Sequence, residues 1–385
     1  MSIKLKKKKL LFAILTLFVV GLGCSRNNTS DHNRSDTPSL KKAFEPYFLM
    51  GTTLSEGHVL EPDAELLELV KHHFNTITAE NKMKWESIHP YPGIYDFEAT
   101  DSMMAFASRN NIKVTGHTLV WHSQTPDWVF TDEQGNWLSR DALIERMREH
   151  IFTVAGRYRG QIHGWDVVNE AVLDNGELRD SKWRQIIGDD YIKLAFQFAA
   201  QADPNARLYY NDYSLPNPGK RDGVVRLVSS LQEDGVRIDG IGMQGHYHFH
   251  YPEIDELEKS IEAFSQLGVD VMITELDLNV LPIPDEDQLG ADVAVSYEFD
   301  EHLNPFGYEL PDSIQQKHAE RYAEFFEVFL RHSDKISRVT FWGVHDGQSW
   351  LNNWPVKNRV NHPLLFDRNL QTKPAFYKVI RLTQQ

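Results

Sequence analysis

From residue 47 onward the chain repeats one pattern, in which a short apolar run gives way to polar residues and then to a longer stretch with apolar positions three and four apart. The short runs predict strands over 47–53, 76–78, 113–119, 162–168, 208–211, 240–244, 271–274 and 336–342. The amphipathic stretches predict helices over 63–73, 99–110, 141–158, 190–201, 220–233, 256–266, 313–331 and 375–382. Eight strand–helix units, with no repeat at a short fixed period and no second linker, predict the α/β class and a single (β/α)8 TIM barrel over 43–385. An open doubly wound sheet is the rival architecture. In such a barrel the C-terminal strand ends carry the active site, so apolar strand bodies finish in polar groups there. That explains why the stretch GWDVVNEA (164–171) ends on Asn169 and Glu170. Six further ends are of this kind, at Glu80-Asn81, Trp121-His122, Asn211-Asp212, Gln244 to His246, Glu275 to Asp277 and Phe341-Trp342. Polar groups on seven ends of one rim point to a ligand.

Charge narrows the ligand. The formal net charge of −15 argues against nucleic acid and against an anionic membrane surface as partner, since both need a basic face to displace counterions. A neutral or cationic ligand fits better. The N-terminus is separate from the fold. Lys4, Lys6, Lys7, Lys8 and Lys9 precede an apolar run at 10–20, interrupted only by Thr16 and too short to span a bilayer, which gives 1–23 the shape of a signal peptide. Cys24 is the sole cysteine, so neither an internal disulfide nor a zinc site with several thiolates can form. Its place after Gly21-Leu22-Gly23 resembles a bacterial lipoprotein processing site, at which Cys24 would be lipidated, although Gly21 stands where that pattern usually has Leu. A plain signal peptide and an uncleaved anchor are the other readings. Residues 25–42 carry almost no apolar side chains and read, with Cys24, as a flexible tether. The expectation is an exported monomer, lipid-anchored through its N-terminus to a bacterial membrane on its periplasmic or cell-surface face and touching the membrane in no other way.

Two carboxylates stand at separate strand ends, Glu170 and Glu275. Glycoside hydrolysis needs such a pair: one to protonate the leaving oxygen, one to face the anomeric carbon. Either glutamate alone would sooner be a salt-bridge partner or a helix cap. The neighbourhood favours the pair. Trp121, Trp342 and Trp350 fall near strand ends or in loops, where indole faces can stack on sugar rings, whereas Trp165 and Trp183 read as core. Asn81, Asn169, Gln244 and His117 add neutral groups able to read hydroxyls. His246, His248 and His250 recur at period two, as a metal site on a strand would, but Tyr251-Pro252 ends that strand early and leaves His246 as a single rim histidine. No metal and no organic cofactor is called for.

The segments TAENKMKW (78–85), GHTLVWHSQTPDW (116–128), WDVVNEA (165–171), YNDYS (210–214), GIGMQGH (240–246), ITELD (273–277) and WGVHDGQSW (342–350) resemble, in order, those of glycoside hydrolase family 10, the retaining endo-β-1,4-xylanases. The resemblance covers the chain from about residue 44 to its end. It implies a (β/α)8 barrel acting on xylan and xylo-oligosaccharides, with Glu170 as acid/base and Glu275 as nucleophile. It also implies that Glu80, Asn81, Lys84, His117, Trp121, Gln244, Trp342 and Trp350 bind the sugars just before the cleaved bond. Asn169 would reach the 2-hydroxyl of the reacting sugar, and His246 with Asp277 would hold the nucleophile. The two carboxyl groups would sit about 5–5.5 Å apart for retention, and the charge on Glu275 would keep Glu170 protonated until the sugar esterifies Glu275.

Ser214 and His345 depart from the family's usual residues, and 281–310 is longer than a simple strand–helix connection. That segment is expected to form part of a groove wall. Two rival functions share the barrel: a non-catalytic glycan-binding lipoprotein, and a hydrolase of another β-glucan or of aryl β-glycosides.

Overall fold

The structure, a computed structural model, describes residues 37–284, 292 and 295–384. The signal-like segment, Cys24 and most of the tether lie outside the described residues. Nine parallel strands run in chain order: β1 (Leu49–Leu54), β2 (Thr76–Ala79), β3 (Lys113–Trp121), β4 (Gly164–Asn169), β5 (Arg207–Asp212), β6 (Gly240–Met243), β7 (His246–His248), β8 (Asp270–Asn279) and β9 (Ile336–Phe341). Eight of them close into a barrel, because β6 pairs directly with β8 and β9 returns to β1. The short β7 continues from β6 and lies against the outer end of β8, setting His246 opposite Asp277. This is the (β/α)8 TIM barrel that the alternating pattern predicts.

Closure explains the sequence pattern. Strands covered by helices outside and packed side chains inside are buried on both faces, so they read as unbroken apolar runs without alternation. β2, β4 and β6 are buried at every position. Gly116 in β3 is required by this packing, since a Cβ there would lie 2.1 Å from the indole of Trp165 in β4. The surrounding helices start where capping residues permit. Asp63 accepts from the amides of Glu65 and Leu66, and Ser139 accepts from Ala142 at the head of the helix Arg140–Arg157. Each cap satisfies amides that have no intrahelical partner and contributes about 1 kcal/mol.

The N-terminal boundary differs from the sequence reading. Residues 38–42 are not tether, because the helix Leu40–Ala43 packs on the floor of the barrel, at the end where the strands begin. Ser39 Oγ donates to the carbonyl of His72 at 2.5 Å, Leu40 N–H donates to His73 Nδ1 at 3.4 Å, and Lys41 Nζ donates to the carbonyl of Lys71. The Ser39 and Lys41 donors satisfy carbonyls in the last turn of the helix Ala64–His73 that would otherwise be orphaned. Leu40 itself is fully buried, and Phe44 and Phe48 stack at 5.2 Å and close the floor with Phe326. A second difference lies in β8, which runs on to Asn279 although Glu275 and Asp277 suggest a strand end. Leu276 and Leu278 are fully buried and alternate with the two acids, continuing the ladder past them.

Candidate active site

The strand ends converge on a cleft of about 130 Å³ at the C-terminal mouth. Its lining includes every site residue expected from the sequence except Asp277, with Gln124 in addition. Asp277 sits one layer back.

Glu170 follows the last residue of β4 and is 4% exposed. Its Oε2 accepts from Trp121 Nε1 at 2.8 Å; its Oε1 accepts from Gln244 Nε2 at 2.9 Å and from Asn169 Nδ2 at 3.1 Å. Glu275 in β8 is buried to the same degree. Its Oε1 accepts from Asn211 Nδ2 at 2.7 Å, and its Oε2 lies 3.3 Å from His246 Nε2. Asn211 also donates to Asn169 Oδ1 at 2.9 Å, so a relay of amides joins the two carboxyl groups. Gly242 makes room for it, since a Cβ there would lie 2.3 Å from Asn211 Oδ1.

Behind Glu275 the imidazole of His246 is held through Nδ1 by Asp277 at 3.0 Å, and Asp277 accepts from Trp350 Nε1 at 2.7 Å. On the opposite flank Lys84 Nζ donates to Asn81 Oδ1 and to Gln124 Oε1, both at 2.9 Å, and lies 5.1 Å from the ring centre of Trp121. His117 is fixed through Nδ1 by Asp166 at 2.9 Å and meets Trp342 edge to face. Glu80 completes that flank, where burial raises its pKa against the opposing charge of Lys84. The period-two histidines do not act together. His248 accepts from the amide of His250 in the turn, while His246 serves the acids of β8. Among the described residues, no group of three or more metal-binding side chains could hold an ion.

A family model described as Glycosyl hydrolase family 10 matches residues 39–382. The chain belongs to glycosyl hydrolase family 10. It is similar to an endo-1,4-beta-xylanase A of Xylanibacter ruminicola, with 48% identity across 90% of this chain and 93% of that protein. Among solved structures, an endoxylanase of this family retrieved from a sugarcane soil metagenome superposes with a TM-score of 0.87 at 42% identity, covering 89% of this chain and all of that one. An intracellular xylanase of Thermoanaerobacterium saccharolyticum, solved with xylotriose bound, superposes with a TM-score of 0.77 at 38% identity over 89% of this chain and 98% of that one.

In this family 10 glycoside hydrolase the two glutamates differ electrically. Burial raises the pKa of Glu170 to about 7, helped next by the charge of Asp212 and only last by that of Glu275. The charge of Glu275, expected to hold the proton on Glu170, does contribute, but behind burial and Asp212. Burial pushes Glu275 upward too, but the charge of His117 and the hydrogen bond and charge of His246 bring it below the usual carboxylate value. His246 sits in a buried place that disfavours charge, yet Asp277 and Glu275 lift its pKa to about 10. It is therefore a cation at neutral pH.

The sequence reading left four contributors without a role. Gln124 sits just past β3 with φ 43°, which turns its amide onto Lys84. Asn211 and Asp212 end β5 inside the YNDYS segment, and Arg179 Nε donates to the carbonyl of Glu170 at 3.1 Å. The pattern of polar strand ends contained Asn211 and Asp212, but only three dimensions show which carboxyl each one meets.

Of the two departures, Ser214 is buried at φ 52°, and His345 accepts from the amide of Gly347 in a turn outside the cleft. The described part of 281–310 braces the loop that carries Trp350. Tyr297 N–H donates to the carbonyl of Pro355 at 2.8 Å, and Asn304 Oδ1 accepts from Val360 N–H at 2.8 Å.

Proposed function

We propose that this glycoside hydrolase is an endo-β-1,4-xylanase that cleaves xylan with retention, by double displacement through a glycosyl-enzyme. The observation that carries the mechanism is the pair of equally buried glutamates in one cleft, one held protonated near neutral pH and the other held ionised. Groups whose environments drive their pKa values apart take the acid and base roles. Glu275 attacks the anomeric carbon and Glu170 delivers its proton to the leaving oxygen; the sugar then occupies Glu275 as an ester. Glu170 next takes a proton from water, which attacks the same carbon and restores both groups. Asn169, bonded to Glu170 and to the Asn211 that holds Glu275, takes the 2-hydroxyl of the reacting sugar in this reading. Trp342, Trp350 and Trp121 supply apolar faces, and Glu80, Asn81, Lys84 and Gln124 supply polar contacts for the sugars on the non-reducing side. The names of the similar proteins and the xylotriose held by one of them support xylan as the polymer.

Incubating residues 37–385 with xylan and following products over time tests the reading. Early release of a ladder of xylo-oligosaccharides, with β-configured new ends by proton NMR, is the expected result. Monosaccharide from the outset, or α-configured ends, would overturn the endo or the retaining assignment respectively. We further infer export and lipidation at Cys24, supported by the basic and apolar runs before it. Palmitate labelling of the expressed full chain that disappears in Cys24→Ala is the expected outcome, and unlabelled wild type overturns it.

A further inference from the structure

Glu170 holds a left-handed backbone angle, φ 58°, which residues other than glycine seldom adopt. Such a conformation persists only where its surroundings over-determine it. Four backbone groups around it are held. Its own N–H donates to the carbonyl of Asn211 at 2.9 Å, and its carbonyl accepts from Arg179. The next two amides, of Ala171 and Val172, both donate to Tyr210 Oη, at 3.0 and 3.1 Å. A phenol oxygen that accepts two amides must send its own proton elsewhere, and Tyr210 donates it to Asp212 Oδ2. That same oxygen lies 3.4 Å from the amide of Val172. The other oxygen of Asp212 accepts from Tyr213 N–H at 2.9 Å and pairs with Lys220 Nζ at 2.9 Å.

Asp212 and Lys220 are both fully buried, and none of Tyr210, Asp212 and Lys220 lines the cleft. A buried ion pair is a poor source of stability, because well-packed apolar residues fill such a space at equal or lower cost. Its position directly beneath the turn that carries a reactive carboxyl points to another role.

We propose that Tyr210, Asp212 and Lys220 are positioning residues for the acid/base, locking the Glu170 turn from behind so that its carboxyl meets the leaving oxygen. The inference rests on Glu170 being the acid/base. Lys220 anchors Asp212, Asp212 orients the Tyr210 hydroxyl, and the hydroxyl fixes the two amides after Glu170. The charged and titratable groups around Asp212 are Lys220, Tyr210, Arg179, Tyr213, Tyr191 and Glu170 itself, with Asp174 3.4 Å from Lys220 Nζ. The arrangement also bears on proton affinity, since Asp212 is the first charge to raise Glu170 after burial itself.

The test compares kcat/KM on two aryl β-xylobiosides. A dinitrophenyl group leaves without protonation, whereas an unsubstituted phenol needs the proton. Tyr210→Phe and Asp212→Asn are expected to lose at least about 10-fold on the phenyl substrate and under about threefold on the dinitrophenyl one. In Asp212→Asn the basic limb of the pH profile should also move to lower pH, because removing a like charge eases ionisation of Glu170. Equal losses on both substrates, or no loss on either, would overturn the proposal. Should Asp212→Asn fail to fold, Tyr210→Phe, which keeps the ring, decides alone. Glu170→Ala serves as the reference: if it shows no preference for the activated substrate, the acid assignment fails, while selectivity in Glu170→Ala without selectivity in Tyr210→Phe sinks only the positioning role.

Discussion

Glu170 and Glu275 are the same residue, each 4% exposed at the mouth of one barrel, yet their pKa values move in opposite directions. The count of hydrogen bonds does not explain it. Glu170 accepts three, from Trp121, Gln244 and Asn169, and is the weaker acid; Glu275 has two partners, Asn211 and His246. The charge of the partners decides. All three donors to Glu170 are neutral, and the strongest neighbouring charge, on Asp212, has the same sign. Glu275 faces an imidazolium that Asp277 keeps charged. In a low-dielectric cleft neutral donors offset only part of the desolvation of a carboxylate, while the positive charges of His117 and His246 offset the rest.

The most severe way to break the comparison is Glu275→Ala. Turnover of xylan is expected to fall by at least about 10⁴-fold, with partial return in azide and an inverted glycosyl azide as product; near-wild-type hydrolysis would remove Glu275 from its role. Glu170→Ala should cost about 10²- to 10⁴-fold on substrates with poor leaving groups and far less on dinitrophenyl glycosides, read as kcat/KM. Replacing the cation on the other side, His246→Asn, should let burial raise the pKa of Glu275. Because the nucleophile works only when ionised, the acidic limb of kcat/KM should climb by about one pH unit; an unmoved limb would show that His117 alone suffices.

The smallest effect concerns stability. The folded pKa of Glu170 is about 7 against 4.5 for an ordinary glutamate, so the folded state holds a proton that the unfolded chain releases. Stability is therefore lost as pH rises from about 4.5 to 7, by on the order of 3 kcal/mol. Glu170→Gln abolishes that loss. Its melting temperature should exceed that of the wild type by several degrees at pH 8 and by less at pH 5, and equal gains at both would contradict the raised pKa.

Much of this was legible in the sequence, for a definite reason. Strands buried on both faces leave unbroken apolar runs, and the helices between them leave a 3.6 period, so the barrel could be counted. The polar strand ends then named the rim. The short helices Glu56–Leu60, Trp85–Ile88 and Lys182–Ile187 were not legible, because a few residues leave no period. Glu275 and Asp277 look like a strand end, whereas β8 runs past both because the buried Leu276 and Leu278 alternate with them. The electrostatics were least legible. That Asp212 outweighs Glu275 in raising Glu170 depends on which groups share the space behind β4, and no spacing along the chain encodes that.

The helix Leu40–Ala43 has a mechanical consequence. It fastens to the end of the helix Ala64–His73 beside the start of β2, on the side of the barrel away from the strand ends that carry Glu170 and Glu275. Any load applied through residue 38 therefore enters at the floor and is borne by hydrogen bonds and stacked phenylalanines, leaving the carboxyl pair out of the force path. A protein held by that end to a bead or a sensor surface turns the strand ends that carry Glu170 and Glu275 toward the solution.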